Sequence, residues 1–168
     1  MSIYDVERDL ERLETHIQDS NYPEINKNLM QKYRNKLFAR GLKTITVRNN
    51  LRRIHKLSGY LDKPFTEASL DDMEGYFGQI ERHIQSEYSK SEHKSVVKRF
   101  YRWLYNGTEP ECTSWISTRM NKSNRKMPSE LLTGEEIKQM IAAANHPRDK
   151  ALIAVLYDTG ARISEIAH

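Results

Sequence analysis

The residues best placed to do chemistry stand near the end of the chain, where Thr159-Gly160-Ala161-Arg162-Ile163-Ser164-Glu165 follows the apolar run ALIAVLYD. A glycine at this point lets the backbone turn sharply, so that Arg162 projects from the start of the next helix and Glu165, one turn on, can hold it. A guanidinium fixed in this way can meet two oxygens of one anion at once. Spacing alone favours a plainer reading, a glycine-terminated helix followed by a surface ion pair. A second set of candidates is basic. Arg48, Arg52 and Lys56 recur every four residues, as do Lys90, Lys94, Lys98 and Arg102. Each step of four drifts only about 40° around a helix, so each set makes one basic stripe. Such a stripe can track phosphates, with Asn49, Asn50, Ser95 or Arg99 as readers of base edges. The bland alternative is a solvated, lysine-rich helix surface.

The elements that would position these groups are helical almost throughout, because apolar residues recur at three and four and no alternating strand pattern stands between turns. Ile3, Val6, Leu10, Leu13 and Ile17 give an amphipathic helix over 1–19, charged on its other side and expected to dock on something. A second helix runs from Asn28 to Arg40 and stops at Gly41. A third is capped by Thr44 and runs to about Leu61, with Val47, Leu51 and Ile54 inward; Pro64 closes that region. Ser69 with Asp71 and Asp72 opens a fourth, carrying Met73, Phe77, Ile80 and Ile84. A fifth, Ser89 to Tyr105, packs Val97, Phe100 and Leu104 and closes at Asn106 and Gly107.

From Glu109 to Glu130 the period is lost, and Ser117 to Glu130 reads as a polar, basic linker with Lys122, Arg125 and Lys126. Thr133 and Glu136 then form a capping box for another helix. His146 and Pro147 break it, Asp149 opens the next, and Gly160 ends that one. Phe77, Phe100, Trp103 and Tyr157 read as core packing, His55 and His93 as solvated histidines, and Cys112 as inert.

Composition narrows the class. The chain has 168 residues, 38% of them hydrophobic, enough for one or two cores. No apolar run approaches the roughly 20 residues of a membrane helix, and the acidic start is unlike a secretory signal, so no membrane partner and a cytoplasmic location are expected. One cysteine excludes an internal disulfide framework and any zinc site built on several thiolates, and the six histidines lack ligand spacing. The net charge of +4 is unevenly spread: residues 1–19 carry −4, residues 20–106 carry +8, and the remainder is neutral. A basic middle suits a polyanion, of which nucleic acid is the commonest, or else a solvated surface.

The box T-G-A-R-I-S-E after an apolar helix, preceded by a basic linker and by Leu132, Thr133 and Glu136, resembles the first-arginine region of the tyrosine recombinase, or phage integrase, family, and Xer-like recombinases in particular. The resemblance runs from about Asn26 to the end. It implies an all-α chain with four parts: an N-terminal helix (1–19), a SAM-like core-binding domain that grips DNA (20–116), a linker (117–130), and the first helices of a catalytic domain (131–168). It further implies that Arg162 meets the scissile phosphate, whose oxygens gain negative charge during cleavage, and that Glu165 supports the site. The family's lysine, second arginine, flanking histidines and nucleophilic tyrosine would lie beyond His168, so this chain alone is expected to be unable to cut DNA. The complete enzyme would attack with tyrosine, hold a 3′-phosphotyrosyl link and religate, using no metal or nucleotide cofactor, within a DNA-bound tetramer of recombinase subunits. The acidic first helix is expected to serve contacts between subunits. The alternatives are a non-catalytic DNA-binding protein derived from an integrase and a helical protein-interaction module.

Overall fold

A computed structural model of the chain describes residues 5–119 and 131–166, apart from the side chain of Ser164. These residues are helices and connections, without strands, and none of the helices is long and apolar enough to cross a membrane. The described residues divide into two compact units, 5–119 and 131–166. Lys122, Arg125 and Lys126 lie outside the described residues.

In the first unit, α1 (Val6–Asp19) is capped by Asp5, whose side chain accepts from the Arg8 N–H, and buries Leu10 and Ile17. α2 (Glu24–Ala39) begins four residues before the expected Asn28. Pro23 holds the cap extended, and the buried residue of the first turn is the polar Asn26, so the apolar period starts only at Leu29. Gly41, at φ +74°, takes the chain out of α2. α3 (Thr44–Leu61) has the expected bounds, but its cap is Lys43 without a side-chain bond; Thr44 is already inside the helix. After a 3-10 turn, Phe65–Glu67, α4 (Leu70–His83) opens on a capping box between Ser69 and Asp72. The Lys63 ammonium, together with the Ser69 N–H and hydroxyl, holds the Asp72 carboxyl down at about 2. α5 (Glu87–Leu104) starts two residues before the expected Ser89, because Ser86 is the residue that caps it.

The stretch after Glu109 departs from expectation. It forms a single helical turn, α6 (Glu111–Ser114), and returns to the bundle, burying Cys112, Thr113 and Ile116. Lys98 donates to the Ile116 carbonyl (2.8 Å) and Ser91 to that of Thr118 (2.9 Å). A single turn displays no period, which is why the sequence reads as irregular there.

α3 is the centre of the unit and packs against α1, α2, α4 and α5. Its Val47, Leu51, Ile54 and Leu57 meet Phe65, Met73, Val96, Val97, Phe100 and Tyr101 in one core. The Phe100 ring touches those of Phe65 (4.9 Å) and Tyr33 (5.1 Å) edge-on. Phe77 and Phe100 are core residues as read, and Trp103 is half-buried against them. The apolar stripe of α1, through Leu10, Leu13 and Ile17, packs in the core of the same unit, against α3.

Both histidines are more enclosed than expected. His55 is half-buried, with Nδ1 3.1 Å from the Tyr22 hydroxyl, and His93 is only 7% exposed between the helices. The 3.6-residue period turns position 93 inward although its neighbours are polar. Burial, then the charges of Arg53 and Lys56 on α3, push His93 down from 6.5 to about 4. The folded state thus binds fewer protons than the unfolded state between those limits, so stability is complete above pH 6.5 and is lost as pH falls toward 4. Urea titrations across that window should show a loss of up to about 3 kcal/mol attributable to this ring. A His93→Leu chain should show a flatter profile; an unchanged profile would remove His93 as the cause.

In the second unit, α7 (Gly134–Ala143) carries the expected Thr133–Glu136 capping box. α8 (Pro147–Thr159) starts two residues before the expected Asp149: Pro147 takes the first helical position, where a missing N–H costs nothing, and His146 Nδ1 accepts from the Arg148 N–H. Gly160, at φ +63°, ends α8, and α9 (Ile163–Ile166) follows. α7 packs against α8. Ile137 is buried, whereas Tyr157, expected in the core, is 59% exposed, because among the described residues of this unit no further layer covers α8.

Candidate nucleic-acid interface

The two basic stripes meet different electrostatic fates. On α3, Arg48 is half-buried and bonded by Nη1 to Asp9 of α1 (2.8 Å) and by Nη2 to Asn49 (3.2 Å). Arg52 and Lys56 are exposed, and among the described residues no carboxylate lies within ion-pair distance of either. On α5, Lys90 reaches Glu81 of α4 (3.0 Å) and Glu87 (2.8 Å), and Lys94 reaches the same Glu81 (2.6 Å). Lys98 meets Glu109 at 2.8 Å and Arg102 meets it at 3.3 Å. These pairs leave a trace on the acids: Glu81 is lowered by its bonds to Lys94 and Lys90, and Glu109 mainly by its bond to Lys98. A phosphate approaching this row must compete with carboxylates already in place.

α3 and α5 are joined along one seam. Arg53 reaches Glu92 (3.7 Å), and Arg99 Nη2 reaches Asn50 Oδ1 (3.5 Å). Asn49, Arg52 and Lys56 stand one step round α3 from these contacts, and Ser95 stands on α5 between Glu92 and Arg99. α3 thus carries Arg52, Lys56 and Asn49, and α5 carries Arg99 and Ser95, on or one helical step from a seam whose acidic member is Glu92. Asn50 is not available as a reader of bases: it is 5% exposed and its amide donates to the Thr46 carbonyl (2.7 Å). The sequence reading does not single out Lys36, in the last turn of α2, Arg40, which caps its end, or the half-buried Arg53. The spacing of four between Lys36 and Arg40 was a visible signal.

In the second unit Arg162 is exposed at the start of α9. The expected support by Glu165 takes another form. Its carboxylate accepts from the backbone N–H of Arg162 (2.8 Å), capping the helix rather than holding the guanidinium, because the first N–H groups of a helix have no internal partner.

Residues 30–107 match the family model for the phage integrase N-terminal SAM-like domain. The match spans α2 from Met30 through α5 to Gly107, and leaves α1, α6 and the second unit outside it. It supports the integrase family, a helical SAM-like fold for the first unit and a recombinase-related role in DNA binding. No curated protein and no solved structure matched the chain.

Proposed function

We propose that a domain of this type makes the chain the DNA-binding N-terminal part of a tyrosine-type, Xer-like site-specific recombinase, gripping duplex DNA along the α3–α5 seam. The observation that carries the reading is the α3–α5 seam: inside the matched region, Arg52, Lys56 and Arg99 stand on or beside it, and none of the three has an acidic partner among the described residues. Cations so placed release counterions from a duplex, and a helix fits its major groove, where Asn49 and Ser95 could meet base edges. The domain plan accompanying this reading is 20–116 for DNA binding, 117–130 as linker and 131–168 as the opening of the catalytic domain. Arg162 would meet the scissile phosphate, held in place by a helix start that Glu165 caps. The complete recombinase would act in the cytoplasm as a DNA-bound tetramer, through a 3′-phosphotyrosyl link.

The test is a duplex titration across a salt series. Three seam cations on three phosphates should give a log–log slope of about −3 or steeper. Undetectable binding, or binding indifferent to salt, would favour a helical protein-interaction module instead.

A further inference from the structure

One cleft of the first unit concentrates positive charge. It opens where the last turn of α2, the first turns of α3 and the last turn of α5 converge, and has a volume of about 690 Å³. Lys36, Arg40, Arg99 and Arg102 line it together with Tyr33 and Trp103, and none of its described lining residues is acidic. Elsewhere in the unit most half-buried cations face a carboxylate, as Arg34 faces Glu14, Arg48 Asp9 and Lys90 Glu81. Here Lys36 Nζ lies instead 5.7 Å from the centroid of the Trp103 ring, and Arg99 is steadied by Asn50, whose amide is itself fixed on the Thr46 carbonyl. Arg40 and Arg99 both act on the Tyr33 phenol: burial raises it, and the two guanidiniums pull against that rise. Both charges therefore bear on the same patch of floor. Of the lining cations only Arg102 meets a carboxylate, Glu109 at 3.3 Å; Lys36, Arg40 and Arg99 have none within ion-pair distance among the described residues. Cations held without a counter-charge favour an anion, and planar guanidinium forks fit the oxygens of a phosphate.

We infer that this cleft is a phosphate-binding site in which Arg40 and Arg99 jointly grip one phosphate group, with Lys36 and Arg102 at its sides. The inference rests on the duplex-binding reading only for the source of the phosphate, a nucleic-acid strand. Free polyphosphate offers the same oxygens. Arg99 and Asn50 belong to both the cleft and the α3–α5 seam, so that a strand following the seam would reach the cleft.

The experiment uses the whole chain with two probes, inorganic tripolyphosphate and a DNA duplex, on the wild type and on Arg40→Gln, Arg99→Gln and the double variant. Unchanged circular dichroism and an unchanged urea midpoint serve as fold controls. Tripolyphosphate at constant ionic strength should raise the thermal midpoint of the wild type and compete with duplex, and the double variant should lose that rise. Loss of a single phosphate contact should weaken duplex binding about tenfold near 0.1 M salt and make the salt slope shallower by about one. Because both arginines hold the same group, each single variant should account for most of the effect of the double. Duplex binding unaffected in every variant, with no response to tripolyphosphate, would overturn the site and leave the duplex reading intact. No duplex binding by the wild type, with a tripolyphosphate response that needs Arg40 and Arg99, would establish the site for free polyphosphate and sink the duplex reading. Fully additive single variants would overturn the joint grip.

Discussion

The double variant Arg52→Glu/Lys56→Glu is expected to bind duplex DNA at least about a hundredfold more weakly than the wild type near 0.1 M salt, with a log–log salt slope shallower by about two. Each phosphate contact contributes about 0.9 to that slope, which at 0.1 M amounts to roughly a factor of ten in affinity. Reversal also adds repulsion, so a hundredfold is the lower bound. Both side chains are exposed and free of carboxylate partners among the described residues, so their replacement should leave the helical bundle unchanged. The informative companion is Lys90→Gln/Lys94→Gln on the other stripe. Those ammoniums already meet Glu81 and Glu87, and the net positive charge they offer a phosphate is small. This pair should lower affinity several-fold at most. Equal losses in the two variants would mean that the ion pairs open on binding and that both stripes touch DNA; no loss with Arg52 and Lys56 reversed would remove the seam as the interface.

What the sequence shows and what it hides divide along the length scale of the interactions. A helix is written in contacts three and four residues apart, and a turn in one residue such as Gly41 or Gly160, so the order of the longer helices, the bounds of α3, the helix start at Ser69 and the capping box at Thr133 are legible. The start of α2 is not, since its first inward side chain is Asn26, a polar residue whose partners Ser58, Lys63 and Phe65 are 32 to 39 residues away. The candidate site suffers in the same way. The basic stripes are visible as spacing, but most of the acids that pair with them are distant in the chain: Glu81 is 13 residues from Lys94, and Asp9 is 39 from Arg48. Pairing of α3 with α5, which makes the seam that Arg52, Lys56 and Arg99 stand on or beside, is tertiary and leaves no local mark. Glu165 was correctly placed near Arg162, yet its carboxylate goes to the backbone, a choice set by the unpaired N–H groups of α9.

Asn26 is the position at which a single substitution should cost most. Its side chain is fully buried, and every polar atom is engaged: Nδ2 donates to Ser58 Oγ (3.1 Å) and to the Lys63 carbonyl (2.9 Å), and Oδ1 accepts from the Phe65 N–H (2.9 Å). One side chain thus ties the first turn of α2 to α3 and to the chain leaving it. It also supports the Phe65 turn, whose carbonyl receives the Tyr101 hydroxyl at 3.0 Å. Asn26→Ala leaves buried backbone groups unpaired, each at about 1–3 kcal/mol, and removes volume from a close-packed site. The expected loss is about 3–5 kcal/mol, read as a lower urea midpoint with the slope unchanged, against a total of about 5–15 kcal/mol for a domain of this kind. Asn26→Asp separates the two contributions, since it keeps the shape and the acceptor for Phe65 but offers the Lys63 carbonyl an oxygen instead of an N–H. It should lose at least as much as Asn26→Ala at neutral pH, because a buried carboxylate facing an acceptor costs more than an empty space. If both variants lost less than about 1 kcal/mol, water would be substituting for the amide at each partner, and the junction of α2, α3 and the Phe65 turn would be held by its apolar contacts alone.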